Sequence, residues 1–183
     1  MFEGLVNIKE INISRFELSQ VRSMKNMFKD CINLQKIDLR YIDTSRVENM
    51  EGVFQNCKEL TSIDLSRFDT RSVTTFESMF KDCQKITSID ASTFNGNNAQ
   101  NLKNMFNSCF KLINVSLSNF DASNVRTVEG AFYLCSELKY LDFRHFSDRS
   151  MNNYGVSMMF DNCINLLYLN LKSFITIKNQ FLY

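Results

Sequence analysis

Phe28, Phe54, Phe80, Phe106 and Phe132 stand 26 residues apart, and Phe160 follows 28 residues later. Cys31, Cys57, Cys83, Cys109, Cys135 and Cys163 keep the same spacing, three residues behind each Phe. A chain built on one short period does not fold around a single centre. Each period is one small supersecondary unit with apolar faces it cannot bury alone, so neighbouring units must stack and cover one another. Counting back 26 from Phe28 and Cys31 places Phe2 and Leu5 in the same columns. The chain therefore reads as seven units starting near residues 2, 28, 54, 80, 106, 132 and 160. With 183 residues and 44% apolar composition it can bury a sizeable core.

Two periodicities alternate inside each unit. Apolar residues after the Cys follow L-x-x-L-x-L, as in Leu60/Ile63/Leu65, Ile86/Ile89/Ala91, Leu138/Leu141/Phe143 and Leu166/Leu169/Leu171. The alternation in the last positions is that of a half-buried strand. A further apolar residue comes three positions later, at Phe16, Ile42, Phe68, Phe94, Phe120, Phe146 and Phe174. A polar turn such as Asp69-Thr70-Arg71-Ser72 follows, whose side chains can satisfy amides at a helix start. Val47, Met50, Phe54 and Cys57 are then spaced 3, 4 and 3 apart, which places them on one face of a short helix or 3₁₀ segment. Each unit thus reads strand, turn, short helix, turn, and the fold class is α/β.

The run VFQNCKELTSIDLSRFDTRSVTTF at Val53–Phe76 resembles the repeats of BspA-like leucine-rich-repeat surface proteins, a group that includes lipoproteins of small low-GC bacteria. The resemblance covers essentially the whole chain. It implies a right-handed leucine-rich-repeat solenoid, with short parallel strands on the concave face and short helices or 3₁₀ turns on the convex face. It also implies cell-surface or secreted localisation, a binding or adhesive role and no catalysis. The chain lacks the export signal and further modules usual in that family, and Phe181, Leu182 and Tyr183 form no polar cap. Residues 1–183 are therefore expected to be one solenoid domain from a longer array. The alternative is a complete cytoplasmic protein starting at Met1 that hides its uncapped ends by self-association.

Charge narrows the partners. Lys and Arg number 21 and Asp and Glu 20, a balance that gives nucleic acid no bulk electrostatic hold. No apolar run approaches the ~18–20 residues of a membrane span. The 6 Cys suggest disulfides at first sight. Identical register, however, points every Cβ the same way at ~4.8 Å intervals, whereas a disulfide needs Cβ atoms converging to about 3.8 Å. Buried free thiols are expected. No C-x-x-C pair supports a metal, and His145, the single His, has no nucleophile at a telling spacing. No catalytic residue, metal or cofactor is expected. Asn12-Ile13-Ser14 and Asn114-Val115-Ser116 match a glycosylation sequon at poor, strand-borne positions.

A binding site would lie on the strand face, on the residues between the apolar positions. One outward column reads Asn12, Asp38, Asp64, Asp90, Ser116, Asp142 and Asn170. Asp38 has Lys36 and Arg40 beside it, while Asp64 and Asp90 are flanked by Ser, forming an acidic, hydroxyl-rich strip or simply a solvated ladder. Tyr140 and Tyr168 share a column on neighbouring units, with Arg144 and Lys172 alongside. Tyr and Arg are enriched at interface hot spots, so these four residues are the first candidate contacts and Asp64 and Asp90 the second. The partner expected is a protein, for example a host or matrix protein, or a glycan. A cytoplasmic interaction scaffold and a silent repeat cassette are the other readings. Two irregularities stand out: Asn95-Gly96-Asn97-Asn98 in place of the usual turn, and two extra residues expected within Tyr154–Met159.

Overall fold

The computed structural model describes residues 1–13, 16–146, 151 and 155–172. Ser14, Tyr154, Phe174, Phe181, Leu182 and Tyr183, named above, lie outside the described residues. The units stack in parallel. β1 (Glu10–Asn12) pairs with β2 (Lys36–Asp38), and Ile11 faces Ile37. β3 (Ser88–Asp90), β4 (Asn114–Ser116), β5 (Tyr140–Asp142) and β6 (Tyr168–Asn170) form a second parallel sheet in chain order. Each is three residues long, with its middle residue turned inward. Ser62, Ile63 and Asp64 occupy the corresponding place in the third unit but join neither sheet, so the expected strand is missing there and the ladder is in two pieces.

The core is columnar. Phe2, Phe28, Phe54, Phe80, Phe106, Phe132 and Phe160 stack ring on ring, with centroids 5.1–6.1 Å apart and interplanar angles of 24° or less. Such offset stacking adds to the burial of the rings. The Cys column is the expected set of free thiols, buried from Cys31 to Cys135 and half-buried at Cys163. Each Sγ–H donates to the Phe carbonyl of the preceding unit, as in Cys57 to Phe28, Cys83 to Phe54 and Cys109 to Phe80 at 3.1–3.2 Å. A small residue with a weak donor fits this slot, and the thiol joins one unit to the next. Leu5, expected to be apolar core in the same column, is 41% exposed.

The segment opposite the strands is a chain of turns in place of the expected short helix or 3₁₀ segment: among the described residues there is no helix or 3₁₀ run. Alternate amides go to different partners. Met24, Asn26, Phe28 and Asp30 donate across to Asn49, Glu51, Val53 and Gln55 of the next unit, while Met27, Lys29 and Cys31 close i→i+3 turns on Met24, Asn26 and Phe28. An α-helix would need both sets internally. The backbone is steered out of the helix by left-handed residues four apart. Asn26, Gly52, Ser78, Asn104 and Gly130 form one such column, with φ of 55–62°, and Asp30, Asn56, Asp82, Ser108 and Leu134 the other. Gly, Asn and Asp tolerate this conformation best. The 3-4-3 spacing correctly placed Val47, Met50, Phe54 and Cys57 inward, because such turns advance side chains much as a helix does.

The polar turns also differ from helix caps. Asp69 accepts the Arg71 amide at 3.1 Å, closing its own turn. Buried Thr70 donates its hydroxyl to the Asn95 carbonyl at 3.0 Å and accepts the Asn95 amide at 2.7 Å, so it pins the next unit rather than a helix start. The irregular Asn95–Asn98 turn keeps this architecture, since Asn95 accepts the Asn97 amide at 2.9 Å. Gly96 sits in the Thr44/Thr70 column, where a Cβ would meet the Asp121 carbonyl at 2.3 Å. The two extra residues fall earlier than expected. Phe146 still stacks on Phe120, yet Val128 already bonds to Gly155 instead of a residue two positions back, so the register shift is complete between Phe146 and Gly155.

Candidate functional site

The outward Asp column has a structural task. Asp38 accepts the Arg40 amide, Asp64 the Ser66 amide, Asp90 the Ser92 amide and Asp142 the Arg144 amide, all at 3.0–3.1 Å. These side chains terminate the strand segment by bonding their own backbone two residues on. The bond favours the ionised form. Asp64 and Asp90 are held below the usual carboxylate range by the serines that donate to them, and Asp38 is pulled down to about 2, chiefly by the Arg40 guanidinium. Asp64 and Asp90 remain exposed, so their outer oxygens face solvent. Asp64 is not flanked by Ser alone: the charges of Arg40 and Arg67 also reach it. Lys36 leans toward Glu10 at 3.7 Å, which leaves Arg40 as the residue that neutralises Asp38.

At the other end, Tyr140 on β5 and Tyr168 on β6 are direct register partners. They are 52% and 48% exposed. With Asn114, Ser116, Ser118 and Asp142 they line a shallow groove of about 410 Å³ over β4, β5 and β6. Arg144 is locked to Asp142 through its Nε and Nη2 groups, and Lys172 donates its amide to Asn170. The structure thus brings Tyr140, Tyr168 and the Asp142–Arg144 pair together. Asp90 is the register partner of groove-lining Ser116, two units from Tyr140, and Asp64 lies one unit further; neither lines this groove. The arrangement offers two aromatic faces, hydroxyl and amide groups and a fixed ion pair. That is equipment for contact with a partner, and it contains no nucleophile paired with a base. Among the described residues no cluster of His, Cys, Asp and Glu could hold a metal ion, and no helix is long and apolar enough to cross a membrane.

A second feature lies where the strand segments turn away, one column beyond Arg40. Tyr41, Arg67, Arg71 and Asp69 line a groove of about 630 Å³ along units two to four. The sequence reading stopped at the Arg40 column and missed it. Its signal was Tyr41, a large aromatic at a position that is Arg67, Thr93 and Asn119 in the following units.

Comparisons with known proteins agree with this geometry. The family profile described as "Mycoplasma protein of unknown function, DUF285" matches residues 1–112 and again 85–178. Among solved structures, a leucine-rich-repeat protein of T. pallidum is similar with a TM-score of 0.56 at 19% identity, over 90% of this chain and 68% of its own. A leucine-rich cell-surface protein from Faecalibacterium prausnitzii is similar with a TM-score of 0.53 at 17% identity, over 91% of this chain and 43% of its own. No curated protein sequence matches. The fold is a leucine-rich-repeat solenoid, and the expected likeness to leucine-rich-repeat surface proteins holds at the level of the fold.

Proposed function

The chain belongs to the DUF285 family, and from that premise we propose that it is a non-enzymatic binding module of a cell-surface or secreted, adhesin-like protein, engaging a protein or glycan through its strand face. The observation that carries the reading is the in-register, half-exposed Tyr140–Tyr168 pair over the groove on β4–β6. Aromatic side chains lose little rotamer freedom on contact and dominate binding energies at interfaces. The Asp142–Arg144 pair beside them is already ordered, which lowers the entropic cost of docking against it. Asp64 and Asp90 are secondary contacts, because one oxygen of each is committed to the backbone. Surface placement draws on the cell-surface neighbour from F. prausnitzii. On this reading residues 1–183 are a single solenoid within a longer array.

The test is binding of the purified chain to arrayed glycans and extracellular-matrix proteins, beside the double variant Tyr140→Ala/Tyr168→Ala. Loss of the captured ligand by the variant, with unchanged circular dichroism, supports the strand face as the site. Equal retention by both proteins sinks it. Recovery of the native product in the cytosol alone would remove the adhesin reading.

A further inference from the structure

We infer that the groove at the turn edge of units two to four is a second docking surface, for an acidic peptide segment of a partner protein. This goes beyond the strand-face reading and does not depend on it. Three guanidiniums converge on the groove, from Arg40, Arg67 and Arg71. Two are fixed in place. Arg40 forks onto Asp38 through Nε and Nη2 at 3.0 and 2.8 Å, and Arg71 onto Asp69 at 3.0 and 2.6 Å. Their side chains are nonetheless 67% and 74% exposed, so the outer edges of both forks face solvent.

Arg67 lies between them and differs. Its Nε reaches the Arg40 carbonyl, at 3.4 Å, and among the described residues no carboxylate forks onto it. An arginine with an open fork between two pre-set neighbours is suited to a carboxylate, which it can bind through two parallel hydrogen bonds. The nearby carboxylates oppose this little: Asp69 is covered by Arg71, Asp43 is turned into its own loop, accepting the Ser45 amide at 3.0 Å, and Asp64, whose charge reaches Arg67, accepts the Ser66 amide through one oxygen.

Tyr41 supplies the apolar half of the surface. It is 67% exposed, with the Arg40 guanidinium 5.8 Å from its ring centroid. That contact holds the ring against the groove, and exposed Tyr beside Arg is the composition of a protein interface. The groove crosses two unit steps, ~10 Å, which about three residues of extended chain can span. A peptide with a Glu or Asp for Arg67 and an apolar neighbour for Tyr41 fits that length.

The experiment is fluorescence anisotropy with a fluorescein-labelled decapeptide of alternating Glu and Ala. A Lys–Ala decapeptide and heparin serve as competing chemistries. The proposal expects binding of the Glu peptide that weakens with added salt and falls about tenfold or more in Arg67→Gln. It expects a further loss in Tyr41→Ala when Leu replaces Ala in the peptide. Both residues are exposed, so unchanged circular dichroism will show that the variants fold. The Tyr140→Ala/Tyr168→Ala protein should bind the Glu peptide normally, which separates this surface from the strand face. Equal binding by a folded Arg67→Gln variant, equal binding of the Lys peptide, capture of heparin without the Glu peptide, or no binding at about millimolar peptide would each overturn the proposal.

Discussion

The two long faces of the stack join the same units by different means. On the turn side the cross-unit pattern of Met24, Asn26, Phe28 and Asp30 recurs at 50–56, 76–82, 102–108 and 128–134 without a gap. An isolated bridge ladder, Ser23–Asn49–Thr75–Asn101–Thr127, runs beside it. On the strand side the strands are three residues long, and the ladder is interrupted at Ser62–Asp64. The turn side also holds the Phe stack and the thiol-to-carbonyl bonds. Cohesion is therefore concentrated on the turn side. The strand side and its margin carry exposed Tyr140, Tyr168 and Tyr41, where side chains can vary without loosening the array.

The largest expected effect breaks the cohesive side. Phe80 is fully buried between Phe54 and Phe106, and Phe80→Ala should lower stability by roughly 3–5 kcal/mol in a denaturant titration. It should also decouple the flanking units, so that the transition broadens. Gly52→Val comes next. Gly52 has φ of +62° and a Cβ there would lie 2.5 Å from Asn26 Oδ1, so a loss of about 1–3 kcal/mol is expected. Gly52→Asn should cost less, because Asn26 and Asn104 hold the same conformation in the same column. On the other face, Tyr140→Ala/Tyr168→Ala should change stability by no more than about 0.5 kcal/mol per site while abolishing ligand capture.

Two smaller effects are set by ionisation. Asp38 has a folded pKa of about 2 against roughly 3.9 in an unfolded chain. A depressed pKa contributes stability that is present above the unfolded value and disappears as pH falls through the folded one. Acid titration should therefore show a loss between about pH 4 and pH 2, to which Asp64, Asp90 and Asp142 add in the same direction. Asp38→Asn should flatten that slope. The thiols should be inert. Burial pushes Cys57, Cys83, Cys109 and Cys135 far up, and Cys163 up to about 11. Alkylation of the native protein at pH 8 should be slow and reach Cys163 first; equal labelling of all six would contradict the buried column.

Much of this was legible in the sequence, for a physical reason. In a stack every unit must bury the same faces, so Phe28, Cys31 and Leu34 recur in register and expose the period. The turn backbone was harder to read. Inward residues at Val47, Met50, Phe54 and Cys57 have helical spacing whether or not the amides bond internally, so apolar periodicity could not separate helix from turns. The discriminating signal was polar: Asn26, Gly52 and Asn104 in one column, with Asp30, Asn56 and Asp82 four residues on, are residues that accept a left-handed backbone. The Asp strip was read as available charge. Its second task, accepting the amide two residues on, follows from Asp-x-Ser and Asp-x-Arg at the strand ends. Tyr140 and Tyr168 were found because they share a column, and Tyr41 was missed because it stands alone in its own.

Amide hydrogen exchange, resolved by residue, tests the division between the two faces most directly. If the turn side holds the stack, the amides of Phe54, Phe80 and Phe106 should exchange most slowly, and those at 62–64 should exchange faster than any strand amide of β3–β5. Slowest exchange at β3–β5, with the turn amides open, would place the cohesion on the strand face and contradict the account.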